Sequence, residues 1–198
     1  MTAESFIALV IFAFVTSITP GPNNLMLLTS GVNFGFVRTI PHMLGIGVGF
    51  VVLLLAVGLG LGAMLEIHPP IHLALKIAGG VYLLYLAWRI AAARKMGDKN
   101  AAHGRPMTFL EAAAFQWVNP KAWVMAITAM AVYTNAERPF ASMLMVAVAF
   151  GLVNLPCVSS WAAFGMALRS FLADPVRLKW FNIAMGLALA ATLWPMLR

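Results

Sequence analysis

Charge is what this sequence has least of. Only 10% of its 198 residues are Asp, Glu, Lys or Arg, while 62% are hydrophobic, and the mean hydropathy is +0.90. A soluble domain needs roughly 25% charged residues to clothe its surface in water, so that class is excluded. Acidic residues are scarcest, six against thirteen Lys and Arg, for a net charge of +7. The basic residues fall between apolar stretches and not along one polar face. That sets nucleic acid aside as a partner and matches the cytoplasmic excess of Lys and Arg in membrane proteins. A single cysteine, Cys157, excludes an internal disulfide and reads as a small buried filler. No Lys or Arg precedes Arg38, so the basic start of a secretory signal is missing. The apolar run 6–15 leads into Thr-Pro-Gly-Pro and not into a small-residue cleavage site, so a retained first helix is expected.

What the sequence does have is six apolar spans, residues 5–30, 40–65, 71–93, 107–134, 139–168 and 180–197. Crossing a hydrocarbon core of ~30 Å takes about 20 helical residues, and the spans reach or approach that. The strict ten-residue alternation of barrel strands is not seen. The expected fold is therefore an all-α integral membrane protein of about six transmembrane helices in one domain. Its first half covers 1–93, a basic loop 94–106, and its second half 107–198. Trp180 and Trp194 flank the last span as interfacial anchors. The segments after spans one, three and five carry nine Lys and Arg and the opposite side three, with Lys121 set apart inside span four. This bias predicts a cytoplasmic 94–106 loop and both termini outside, in an inner membrane.

Two spans are interrupted, the first at Thr19-Pro20-Gly21-Pro22-Asn23-Asn24 and the fourth at Asn119-Pro120-Lys121. Pro22 and Pro120 stand 98 residues apart, so each opens a half of three spans. An odd number of spans would turn the second half upside down. That is the pattern of an inverted repeat whose paired broken helices mark a site near the midplane. Simple kinks are the alternative. Proline has no N–H, so Pro20, Pro22 and Pro120 free the carbonyls of Thr16, Ile18 and Gln116. In lipid those carbonyls must meet protein, water or solute. Each new half-helix also turns its free N–H groups and positive dipole end towards the break. Carbonyls suit an ammonium group and a helix start suits a carboxylate, and a zwitterionic amino acid presents both.

The two motifs in that order resemble the LysE/RhtB family of amino-acid exporters. So do the turn Phe34-Gly35-Phe36-Val37-Arg38 and the run from Leu75 to Arg89 containing Gly79-Gly80. The stretch Phe115-Gln116-Trp117-Val118-Asn119 looks most like the branch that includes a cysteine and O-acetylserine exporter. The resemblance covers nearly the whole chain. It implies proton-driven efflux of amino acids or their derivatives, with family motif positions at Pro20, Gly21, Pro22, Asn23, Asn119, Pro120 and Lys121. Many members carry an acidic residue in the fifth span where this chain has Asn154, so a proton-coupling role is not transferred to that span.

Among individual residues, Lys121 is the only basic residue deep in a span. Its roles are carboxylate anchor, proton carrier, a side chain snorkelling to the interface, or a partner for a freed carbonyl. Asn23, Asn24 and Asn119 suit capping or substrate contact. Gln116 and Asn154 are further candidates, because amides are expensive in lipid. Thr16, Ser17 and Thr19 belong to the same region, though hydroxyls often bond back to their own helix. Glu111 reads as a surface acid near the cytoplasmic face or as a proton gate. Gly45, Gly49, Gly58 and Gly62, with Gly79-Gly80, suit close helix packing or self-association into a homo-oligomer. His68 and His72 are separated by Pro69-Pro70, so no metal site is expected. Ser159-Ser160 has no matched His–Asp partner. No cofactor is called for and an enzyme is the last choice. An exporter of a small amino-acid-like substrate leads, ahead of a channel or importer and of a scaffold without transport.

Overall fold

A computed structural model describes residues 1–62, 69–96 and 105–194. The end of the second apolar span, most of the basic loop, the chain end with Arg198, His68 and the side chain of His72 lie outside the described residues.

Among the described residues the chain is helical. Helix α1 (Ala3–Ile18) is capped by Thr2, whose hydroxyl accepts from the Ser5 N–H. It stops where Pro20 forces Thr19 into an extended conformation (φ −65°, ψ 146°). Helix α2 (Pro22–Phe34) starts with proline in its first turn and leaves α1 at 55°. Gly35, at φ 81°, makes the turn into α3 (Phe36–Gly58), a conformation that favours glycine. Helix α4 covers Pro69–Ala92 and the short α5 Phe109–Phe115. A 3-10 turn over Gln116–Val118 then leads to α6 (Pro120–Tyr133). Helix α7 (Pro139–Leu168) is the longest, and α8 (Pro175–Ala191) follows, capped by Asp174.

Three segments are long and apolar enough to cross a membrane, Phe36–Gly58, Leu73–Ala92 and Pro139–Leu168, and the bent pair α1 and α2 qualifies together. The fourth expected span is divided between α5 and α6, and the sixth has a described helix of 17 residues. Large apolar side chains such as Ile11, Val48, Val81 and Leu152 face outwards, the surface a lipid solvent rewards.

Helix α7 packs on α1, α2 and α3; α5 packs on α3, and α4 on α8. Their apolar side chains form two main clusters. One joins α1, α3, α6 and α7 around Leu9, Phe50, Leu53 and Phe150. The other joins α2, α4, α5 and α8 with the start of α3 and the second half of α7, around Leu27, Ile46, Leu83 and Phe115. Helix α1 belongs to the first cluster and α2 to the second, while α5 belongs to the second and α6 to the first. Each broken span therefore passes from one core to the other at its break.

Close crossings depend on missing side chains. A Cβ on Gly45 would come within 2.3 Å of the Phe109 carbonyl, one on Gly49 within 2.6 Å of Ala113 Cα, and one on Gly79 within 2.5 Å of the Val118 carbonyl. These glycines serve packing, as their spacing suggested. Gly58 would press on Met143, but Gly62 and Gly80 stand in ordinary contact. The tightest crossing joins α2 and α7, where Gly31 meets the Ala162 carbonyl and Gly165 the Leu28 carbonyl. Neither glycine stood out in the sequence.

Candidate functional site

The two breaks meet. Asn23, just after the first proline-started helix begins, donates to Gln116 Oε1 at 2.8 Å and accepts from Gln116 Nε2 at 3.2 Å. Lys121, just after the second begins, donates to the carbonyl of Thr19 at 2.8 Å, to its hydroxyl at 2.9 Å and to the Pro20 carbonyl at 3.4 Å. At each break the residue after the helix-opening proline thus reaches the end of the segment that precedes the other break. Gln116 is fully buried and also donates to the Ala112 carbonyl at 2.8 Å, so its amide orientation is held at both ends.

The freed carbonyls find protein partners. The Ile18 carbonyl accepts from the Trp161 indole on α7 at 3.0 Å, and the Thr16 carbonyl from the Thr19 hydroxyl at 3.1 Å. The Gln116 carbonyl takes the Asn119 N–H at 3.4 Å. Asn24, buried, closes the end of α1 by donating to the carbonyls of Ser17 and Thr19, both at 2.8 Å. Its capping therefore serves the end of α1 and not the start of α2: the amide nitrogen faces backwards, where two acceptors lie. Asn119 does cap its own helix, accepting from the Lys121 N–H at 3.1 Å. Helix α2 starts on Gly21 with no side-chain cap.

Around these contacts lies a cavity of about 30 Å³, room for about two waters and not for an amino acid. Among the expected site residues it touches Gly21, Asn23, Asn24, Gln116, Asn119, Lys121 and Asn154, together with Thr16 and Ser17. Asn154 donates to the Ser17 hydroxyl at 3.1 Å, while its buried Oδ1 has no hydrogen-bond partner among the described residues. Thr19 and Pro20 are exposed at the rim, where Lys121 reaches them. Pro22 and Pro120 shape the helix starts without lining the space. Phe50, Met125 and Val158 supply an apolar wall.

Glu111 lies elsewhere. It completes a capping box with Thr108 and holds Arg105 through two bonds of 2.7 Å. The Ser160 hydroxyl bonds back to the Cys157 carbonyl at 2.7 Å. Trp161 escaped the sequence reading. Its only sequence signal is an indole N–H in an apolar helix, a donor that must be satisfied somewhere.

Residues 14–192 match a protein family described as LysE type translocator. The cysteine/O-acetylserine efflux protein of Escherichia coli is 29% identical over 167 residues, 83% of this chain and 84% of its own length. The protein of that name from Klebsiella pneumoniae is 28% identical over 190 residues, 93% and 94% of the two chains. The one from Shigella flexneri is 30% identical over 156 residues, 78% of each. No solved structure matches the chain.

Proposed function

We propose that this chain, which belongs to the LysE type translocator family, exports small zwitterionic amino acids or their derivatives across the inner membrane. It is a multi-pass membrane transporter and not an enzyme. The relatives named as cysteine/O-acetylserine efflux proteins make short polar amino acids the first substrates to try.

One observation carries the reading. Two proline-started half-helices face each other inside an apolar bundle, and their first-turn side chains hold each other's break across a small polar cavity. The uncapped start of α2 and the Lys121 ammonium suit a carboxylate. Asn154 borders the cavity, and its Oδ1, without a partner among the described residues, suits an ammonium. Thr19, Pro20, Gly21, Pro22, Asn23, Asn24, Gln116, Asn119 and Pro120 give the site its backbone and framework. The cavity is closed down to the size of water, so a solute enters only when the halves part. That behaviour belongs to a carrier and not to an open pore.

The packing pattern supports two inverted three-span halves, 1–93 and 107–198 about the 94–106 loop. If α1 corresponds to α5, α2 to α6, α3 to α7 and α4 to α8, the α3–α5 contact maps onto α7–α1, α3–α6 onto α7–α2 and α2–α3 onto α6–α7. The contacts α4–α8 and α3–α7 map onto themselves. Six spans with both termini periplasmic follow from this pairing and the nine-to-three charge bias, and the proton gradient is the proposed driving force. The test is uptake of radiolabelled O-acetylserine, cysteine and other amino acids into everted vesicles, with and without that gradient. Saturable uptake that collapses with the gradient is expected, and wild-type vesicles that take up none of the panel would overturn the reading.

A further inference from the structure

A second pocket, with mostly apolar walls and a few polar side chains set among Met26, Phe34, Leu86, Ile90 and Met107, lies towards the basic side of the bundle, apart from the cavity between the breaks. Its volume is about 70 Å³. Thr29, Ser30 and Asn33 border it from α2, His42 from α3, Arg89 from α4 and Arg105 from the segment before α5. His42 is 1% exposed and Asn33 3%. Neither ring nitrogen of His42 has a hydrogen-bond partner among the described residues, and neither has Asn33 Oδ1. The Asn33 amide nitrogen, by contrast, donates to the Thr29 carbonyl at 2.9 Å and to Asn182 Oδ1 at 3.1 Å. The side chain is therefore locked with its oxygen left over. Buried polar atoms are nearly always paired, and three unpaired ones around one pocket call for a ligand more than for a packing role.

The leftover groups match an amino acid. Asn33 Oδ1 and the unprotonated nitrogen of His42 accept from an ammonium, and the other ring nitrogen donates. Arg105 is already held by Glu111. Arg89 packs over the Tyr85 ring at 5.8 Å and makes no ion pair among the described residues, so its guanidinium can meet a carboxylate. The pocket shares a helix face with the central cavity. Asn23, Met26, Ser30 and Asn33 follow one stripe of α2, so the face that borders the central cavity at Asn23 continues to this pocket over about 15 Å.

We propose that this pocket is a loading site, which binds a small zwitterionic amino acid from the cytoplasm before it passes along α2 to the cavity between the breaks. The direction of movement rests on the exporter reading; the binding chemistry does not.

Two measurements test it together. The chain has four histidines, so ring-labelled protein in detergent gives few imidazole NMR signals, and His42→Gln identifies that of His42. Titration with L-serine or L-cysteine is expected to shift the His42 signals saturably, and ethanolamine or acetate alone to shift them less. In vesicles, His42→Ala and Asn33→Ala are expected to raise the half-saturating concentration at the cytoplasmic face by about tenfold. The value at the opposite face, read in right-side-out vesicles, stays where it was. His42→Gln, which restores a donor and an acceptor, recovers most of the loss. The proposal is overturned if wild-type protein transports these amino acids while the His42 signals do not move. It is equally overturned if both faces weaken together in the alanine variants, the sign of a packing role. If the His42 signals respond but wild-type vesicles move no amino acid, the pocket stands and the exporter reading falls.

Discussion

At the first break the chain turns by 55° and the new helix starts on a bare glycine. At the second it passes through a 3-10 turn and starts on Asn119, which caps its own helix. Space explains the contrast. A Cβ at Gly21 would lie 2.7 Å from Lys121 Cδ, so the position beside Lys121 is kept empty and the start of α2 has no side chain to cap it. The second break satisfies itself and sends a cation across; the first offers carbonyls and an open helix start. Similar proline motifs therefore take different chemical parts where the two breaks meet.

That division can be broken most severely at Lys121. Lys121→Met is expected to lower uptake into everted vesicles by about 100-fold, the scale of losing charge-assisted hydrogen bonds. Lys121→Arg should recover only part of it, because a planar fork replaces a compact ammonium. Unchanged uptake in the Met variant would reduce Lys121 to a structural tie.

The amide pair joining the two breaks comes next. Asn23→Ala and Gln116→Leu should each destabilise the detergent-solubilised protein by roughly 1–3 kcal/mol, since the partner amide stays behind unpaired. The double variant should cost less than the sum. Strict additivity in chemical denaturation would mean the two side chains do not cooperate.

Gly21→Ala is smaller and more selective. Its backbone is extended (φ −177°), so the added methyl brings no strain of its own and acts by displacing Lys121. Transport should fall by about tenfold with the melting temperature nearly unchanged. Least of all, Asn119→Ala should remove one helix cap worth about 1 kcal/mol, visible in stability before transport. An effect on transport equal to that of Lys121→Met would make Asn119 a substrate ligand as well.

Much of this arrangement could be read from residue order. Paired prolines around a glycine, and Asn-Pro at the end of an apolar run, stop helices because N–H groups are missing where the ladder needs them. Pro41 and Pro156, alone in long apolar segments, do not stop α3 or α7, since one lost bond is tolerated when the flanking turns are packed. The close-packing roles of Gly45, Gly49 and Gly79 were legible from spacing. Gly31 and Gly165 were not, because their need for hydrogen in place of a side chain exists only where α2 crosses α7. Nor did local pattern reveal that Trp161 would claim the Ile18 carbonyl 143 residues away, or that His42 and Asn33 would border one pocket.

Residue order alone decided that this chain lives in lipid, that two of its apolar segments are interrupted, and that their carbonyls and helix starts need partners. Hydropathy and the chemistry of proline act along the chain, so sequence suffices for them. Tertiary structure decided who those partners are: Gln116 for Asn23, Thr19 and Pro20 for Lys121, Trp161 for Ile18. Hydrogen bonds between residues about a hundred positions apart depend on how the helices cross, and the crossing is set by packing across the whole bundle.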